Sequence, residues 1–187
     1  LLDIEMPVTK EELKELLQEM VNKMDTGDLF VYYQVTRGTG VRDHAYTKGP
    51  GNLWIMLKPA EISDGIEPIK LITVEDTRFL HCNIKTLNLI PSCVATEKAK
   101  KAGCQEAVFY RAGGRVTECA HSNVHIIKDG KLVTAPTDNL ILPGIARAHL
   151  IRMCKKLGIP VSETPYTLKE LFEAEEVLVT SSSNLCL

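Results

Sequence analysis

Eleven residues about a third of the way along the chain decide how many cores it can build. Lys58 to Pro68 carries two prolines, a glycine and three carboxylates. Proline removes a backbone donor and clashes with the preceding turn, so neither a helix interior nor a central strand runs through such a stretch. The segment reads as a linker and the chain as two lobes. Residues 1–59 form a partial N-terminal α/β lobe, and residues 60–187 form a larger lobe, incomplete at its C-terminal end. The length of 187 residues suits one domain or two small ones.

On either side of the linker the apolar pattern alternates between helical and strand periods. Thr9 to Met24 places Leu13, Leu16, Leu17, Met20, Val21 and Met24 on one helical face, with Thr9 and Glu12 forming a capping box and Gly27 as a stop. Leu29 to Thr36 and Leu53 to Leu57 read as strands, separated by a loop rich in glycine. In the second lobe, Ile69–Val74, Ala107–Arg111, Arg115–Glu118, Asn123–Ile127, Leu132–Thr134 and Glu176–Thr180 read as strands. Lys128 to Lys131 reads as a hairpin turn around Asp129-Gly130. Leu87–Ala102, Ile145–Leu157 and a capped segment opened by Thr167 and Glu170 read as helices. Strands and helices mix without strict βαβ alternation, so the expected class is α+β with two lobes.

Composition narrows the functional classes. The net charge is −2, and no run of like charges exceeds three, which argues against nucleic acid or an acidic membrane as partner. The longest stretch free of charged residues, Thr86 to Thr96, is eleven residues, against ~20 for a membrane span. Six cysteines occur without a Cys-x-x-Cys pair, so reduced, mostly buried thiols in a cytoplasmic protein are expected, and no metal site. The opening residues are crowded with carboxylates, unlike a signal peptide. The chain starts at Leu1 and stops at Leu187 just after a strand and a serine cluster, which reads as a fragment of a longer protein.

Walker A, GxGxxG, HExxH and GxSxG motifs are all missing. Four places carry possible chemistry. Lys85 is either a lysine that lays its methylenes on apolar neighbours, or a partly buried amine of lowered pKa able to form a Schiff base. Glu118 is either a solvated turn carboxylate or the partner of a protonated ring nitrogen. Gly144 opens a helix whose first N–H groups, at Ile145 and Ala146, suit a phosphate, although glycine also serves as a plain cap. Thr180-Ser181-Ser182-Ser183-Asn184 is either a polar turn or a second set of phosphate donors. An amine, a carboxylate and two anion-binding turns together meet the requirements of pyridoxal 5'-phosphate.

The same residues carry a resemblance. Asn83-Ile84-Lys85-Thr86-Leu87-Asn88, Thr117-Glu118 with Ser122-Asn123, Asn139-Leu140-Ile141-Leu142-Pro143-Gly144-Ile145 and Val179-Thr180-Ser181-Ser182 resemble the fold-type IV pyridoxal-phosphate enzymes in order and separation. Within that family, Thr36 to His44 is similar to the D-amino acid aminotransferases, in which an Arg-x-His pair clamps the substrate carboxylate across a homodimer interface. The resemblance implies that Lys85 holds the cofactor and shuttles the substrate Cα proton. It implies that Glu118 keeps the pyridine nitrogen protonated and that Leu142 packs on the ring. The phosphate would fall to the backbone at Ile145 and Ala146 with Ser181 and Ser182, and the carboxylate to Arg42 and His44. Two departures stand out. Cys119-Ala120-His121 replaces the family's frequent glycine and serines, and Ala146 stands where a threonine is usual. An arginine to the phosphate and a tyrosine near the substrate are expected in a preceding segment outside this sequence.

The implied activity is transfer of an amino group from a D-amino acid to a 2-oxo acid, as in D-alanine and 2-oxoglutarate giving pyruvate and D-glutamate. The competing expectations keep the cofactor but change the chemistry, to a branched-chain aminotransferase or an aminodeoxychorismate lyase-like enzyme, or abandon turnover for a chain that only folds and dimerises.

Overall fold

The structure is a computed structural model that describes residues 2–61, 67–183 and 185–186, the last two by backbone alone. The core of the linker, residues 62–66, and the two chain ends lie outside the described residues, as does Asn184 of the serine cluster. The chain divides into two compact units, Leu1–Ile62 and Ser63–Leu187.

The first unit contains α1 (Lys10–Asn22), β1 (Leu29–Thr36) and β2 (Asn52–Pro59). The Thr9 hydroxyl accepts from the Glu12 N–H and the Glu12 carboxylate accepts from the Thr9 N–H, so the capping box forms as its spacing predicts. β1 and β2 pair antiparallel from Leu29 opposite Pro59 to Thr36 opposite Asn52, with residues 37–51 as the connecting loop. β2 runs into Pro59, so the first two linker residues belong to a strand. Proline is tolerated at that strand end, where its missing donor costs no ladder bond.

The second unit holds two sheets. β3 (Leu71–Glu75), β4 (Glu106–Tyr110) and β5 (Val116–Cys119) form one, with β3 and β4 parallel across α2 (Ile90–Lys101). The other has the order β10-β9-β6-β7-β8, from β6 (Asn123–Lys128), β7 (Lys131–Thr134), β8 (Val161–Glu163), β9 (Glu176–Ser181) and β10 (Leu185–Cys186). α3 (Ile145–Lys156) crosses between the parallel strands β7 and β8, and α4 (Leu168–Phe172) precedes β9. Asp129 and Gly130 both adopt positive φ in a two-residue hairpin between β6 and β7, the geometry Asp-Gly favours.

Alternation along the strands sorts side chains into layers. Val108, Val124, Ile126 and Val179 meet between the two sheets with Val116, Cys119, Tyr166 and Leu171. On the other side of β4, Ala107 and Phe109 pack against Ala95 and Ala99 of α2. α3 lays Ile151 and Cys154 on Leu132 of β7. Burial of this apolar surface holds the sheets face to face, at about 25 cal/mol for each Å² removed from water.

Most element ends shift by one to three residues from the sequence reading, and β8 and β10 are additional strands. α2 starts at Ile90, three residues later than expected, because Pro91 fits only the first turn of a helix. β8 was not anticipated, since three residues that stay partly exposed carry too short a pattern to register. β5 contains an irregularity with consequences for the site.

Candidate active site

Val108 of β4 faces Cys119 of β5, and Tyr110 faces Val116. Between these two pairs, Thr117 and Glu118 on β5 stand opposite a single residue of β4. The extra residue makes a β-bulge, which turns both Val116 and Cys119 into the core. Thr117 and Glu118 are thereby aimed at the ends of β3 and β4. Glu118 is 5% exposed. Its Oε1 accepts from the Arg78 guanidinium at 2.5 Å, and its Oε2 accepts from Asn123 Nδ2 at 3.0 Å and from the Leu142 N–H at 2.9 Å. Burial pushes this carboxyl above the usual carboxylate range, and the Arg78 charge and the Leu142 hydrogen bond pull it back only in part. Glu118 is thus a fully bonded buried carboxylate, and the reading as a solvated turn residue falls.

Asn123 links the carboxylate to the start of α3. Its amide also donates to the Leu142 carbonyl at 2.9 Å. A Cβ placed on Gly144 would lie 2.1 Å from Asn123 Oδ1, so only glycine leaves room for this approach. Gly144 is the N-cap of α3, and no side chain caps that end. Ile145 and Ala146 stand in the first turn of α3, whose N–H groups have no partner within the helix, and α3 packs against β9 and β10. Ser181 ends β9 and its hydroxyl lies 3.2 Å from that of Ser183, while Ser182 is exposed in the turn that follows.

Lys85 lies in the turn between β3 and α2. The Cys82 N–H donates to the Asn139 carbonyl at 2.9 Å, which ties this turn to the loop carrying Leu142. Lys85 itself is exposed, which corrects the expectation of a partly buried amine. Ile84 before it is only half-buried and Leu87 after it is exposed, so its apolar neighbours in sequence build no enclosing pocket. Two positions earlier, Asn83 Oδ1 is buried with no hydrogen-bond partner among the described residues. Arg42 and His44 belong to the first unit, both exposed in the loop between β1 and β2, where the His44 N–H donates to the Asp43 carboxylate at 2.7 Å.

Sequence reasoning passed over the charged groups around Glu118. Arg78 is bound by Asp76 through two bonds of 3.0 Å, from Nε and from one terminal nitrogen, and also donates to the Leu140 carbonyl. Arg111 Nε donates to Asp76 at 3.2 Å, and the Thr117 hydroxyl does so at 3.0 Å. Arg78 lies 4.5 Å from the centre of the Phe109 ring. The available signal was a pair of opposite charges, Asp76-x-Arg78, directly after an apolar strand. Also unforeseen is His125, fully buried between the hydroxyls of Thr134 at 2.8 Å and Thr180 at 2.9 Å. Burial and the nearby Arg147 charge push its pKa down to about 3, so the ring is a neutral clamp joining β6, β7 and β9.

This donor set fits pyridoxal phosphate. An uncapped helix start suits a phosphate, a buried carboxylate suits a ring nitrogen, and a primary amine lies on a turn tied to the same loop.

The architecture is that of the α+β type IV aminotransferases. An aminotransferase from Brucella abortus, solved bound to the cofactor PLP, shares the fold with a TM-score of 0.83 and 22% identity over 98% of this chain and 68% of that one. Residues 1–187 match the amino-transferase class IV family, and the chain belongs to it. A D-alanine aminotransferase of Listeria monocytogenes serotype 1/2a (strain 10403S) is 44% identical over 97% of this chain, and one of Staphylococcus epidermidis (strain ATCC 35984) is 36% identical over 96%. The chain spans about 65% of the length of these curated relatives. Among the described residues no helix is long and apolar enough to cross a membrane.

Proposed function

We propose that the protein to which this chain belongs is a cytoplasmic, homodimeric aminotransferase that uses pyridoxal phosphate to move the amino group of a D-amino acid to a 2-oxo acid. The observation that carries the cofactor reading is the bonded cluster of Glu118, Asn123, Leu142 and Gly144, which joins a buried carboxylate to an uncapped helix start. The D-amino acid reading is supported by the likeness to the D-alanine aminotransferases and by Arg42-x-His44.

When bound, pyridoxal phosphate supplies an aromatic sink for the electrons left as the substrate Cα loses its proton. Lys85 Nζ would hold the cofactor through its amine, and the same amine, once free, would carry the proton removed from the substrate Cα. Glu118 keeps a proton on the pyridine nitrogen. The N–H groups of Ile145 and Ala146, with the Ser181 and Ser182 hydroxyls, bind the phosphate, and Leu142 packs against the ring. The partner subunit's Arg42 and His44 hold the substrate carboxylate, with the guanidinium offering a two-pronged donor that matches a carboxylate.

Two measurements on the full-length protein test this. Borohydride reduction with cofactor followed by peptide mapping should label Lys85; a label on another lysine removes the assignment. Turnover with 2-oxoglutarate should favour D-alanine over L-leucine; the reverse preference would point to the branched-chain class.

A further inference from the structure

Glu118 and Asp76 compete for one guanidinium. Arg78 sits between them with its side chain only 10% exposed, against 7% for Glu118 and 0% for Asp76. The sharing is unequal. Asp76 takes two contacts, from Nε and from one terminal nitrogen, while Glu118 takes the other terminal nitrogen at 2.5 Å. Asp76 is in turn braced by Arg111 at 3.2 Å, by the Thr117 hydroxyl at 3.0 Å and by the Arg78 N–H at 3.0 Å. The Arg78 plane cannot swing freely, because its ring contact with Phe109 and its bond to the Leu140 carbonyl hold it on two further sides.

We propose that Asp76 and Arg78 are a positioning pair for Glu118, the carboxylate read as facing the cofactor. Asp76 fixes the fork, and the fork holds Glu118 as an oriented anion. The proposal rests on the reading of Glu118 as the partner of the pyridine nitrogen, and adds the residues that set its charge. Neither residue touches the cofactor in this scheme; both act through Glu118. The bulge at Thr117-Glu118 places both side chains in this arrangement, Thr117 toward Asp76 and Glu118 toward Arg78. A carboxylate this buried needs such a partner, since desolvation penalises its charged form.

Electrostatics give the pair a signature that simple packing lacks. The groups facing Glu118 are Arg78 and Asp76 from the end of β3, Arg111 from the end of β4 through Asp76, and the Cys82 and Cys119 thiols. Burial raises the Glu118 carboxyl, Arg78 lowers it and Asp76 raises it. Removing Arg78 and removing the Asp76 charge therefore move Glu118 in opposite directions, whereas loosened packing has no reason to do so.

The experiment follows the carbonyl band of protonated Glu118 by infrared spectroscopy on the full-length protein without added cofactor. The band is assigned by its loss in Glu118→Gln. Arg78→Met should raise the pH midpoint of the band by about 1–3 units. Arg78→Lys should recover part of that shift, and Asp76→Asn, which keeps one acceptor oxygen, should lower the midpoint. Equal midpoints in the folded variants, or an upward shift in Asp76→Asn, would overturn the pair. If Arg78→Met does not fold, the sign of the Asp76→Asn shift decides alone. Addition of pyridoxal phosphate separates this outcome from that of the functional reading. If Glu118→Gln binds the cofactor with unchanged affinity and spectrum, the reading of Glu118 fails even where the midpoints move as stated.

Discussion

Arg78 puts one buried charge against two buried carboxylates, and for Glu118 it is the charged partner within hydrogen-bond reach among the described residues. Arg78→Met should therefore destabilise the protein by about 3–5 kcal/mol in denaturant unfolding, the cost of leaving buried charge uncompensated. A loss below ~1 kcal/mol would mean that Asp76 and Glu118 find protons or water at little cost. His121 offers a second test at this scale. Its Nδ1 lies 2.9 Å from the buried Glu106, which also accepts from the Ser122 hydroxyl at 2.8 Å. The Glu106 hydrogen bond holds His121 above its ordinary 6.5, against the opposing effect of burial. Burial pushes Glu106 up, but His121, the Ala107 N–H and Ser122 together hold it below 4.5. The His121 contribution is thus complete below pH 6.5 and lost as pH rises through its raised folded value. The Glu106 contribution is present above its ordinary range and lost as pH falls through its lowered folded value. Stability from this pair should peak in mild acid and decline on the alkaline side. Urea midpoints across pH should show that decline, and His121→Asn should abolish it; an unchanged alkaline limb in the variant would sink the assignment. Glu118 could be picked out by residue type and neighbours, whereas Asp76-x-Arg78 offered only a charge pair after an apolar strand. Their role exists only once β3, β4 and β5 lie side by side.

Elements bring these residues together, and their signals differ in how local they are. The capping boxes at Thr9-Glu12 and Thr167-Glu170 form as spaced, because each is closed within four residues. Thr167→Ala should cost about 1 kcal/mol, read as a lowered unfolding midpoint, since α4 loses the acceptor for the Glu170 N–H. Gly144 makes a sharper case. A methyl group there meets Asn123 Oδ1 at 2.1 Å, and Asn123 cannot rotate away without losing its bonds to Glu118 and Leu142. Gly144→Ala should weaken pyridoxal-phosphate binding and cost about 1–3 kcal/mol of stability. Unaltered cofactor affinity, titrated by absorbance, would show that the Asn123 bridge is dispensable. The glycine was legible as a helix start, but its closeness to Asn123 was not, since those residues meet only through β6 and the loop before α3. The same holds for the bulge in β5. Nothing in Val116-Thr117-Glu118-Cys119 announces that two residues will share one partner position, because that is a property of the pairing with β4.

At the scale of the molecule, the proposed assembly calls on two copies of the chain. If Arg42 and His44 serve the neighbouring subunit, inactive Lys85→Ala and inactive Arg42→Ala full-length proteins should regain activity when refolded together, since mixed dimers contain one intact site. No recovery in a mixture shown to exchange subunits would place Arg42 in its own subunit's site or outside the site. What the sequence by itself determined is whatever closes over short distances along the chain. That covers the helix caps, the Asp129-Gly130 turn, the periods of the strands and the residue types on the motif turns, all governed by local backbone preference and apolar alternation. Only the tertiary structure decided which charges share a buried space. Glu118 gains Arg78 from forty residues away, and Leu142 from twenty-four. The reason is physical: a carboxylate's charge state depends on its desolvation and its neighbours, and both are set by packing between strands distant in sequence.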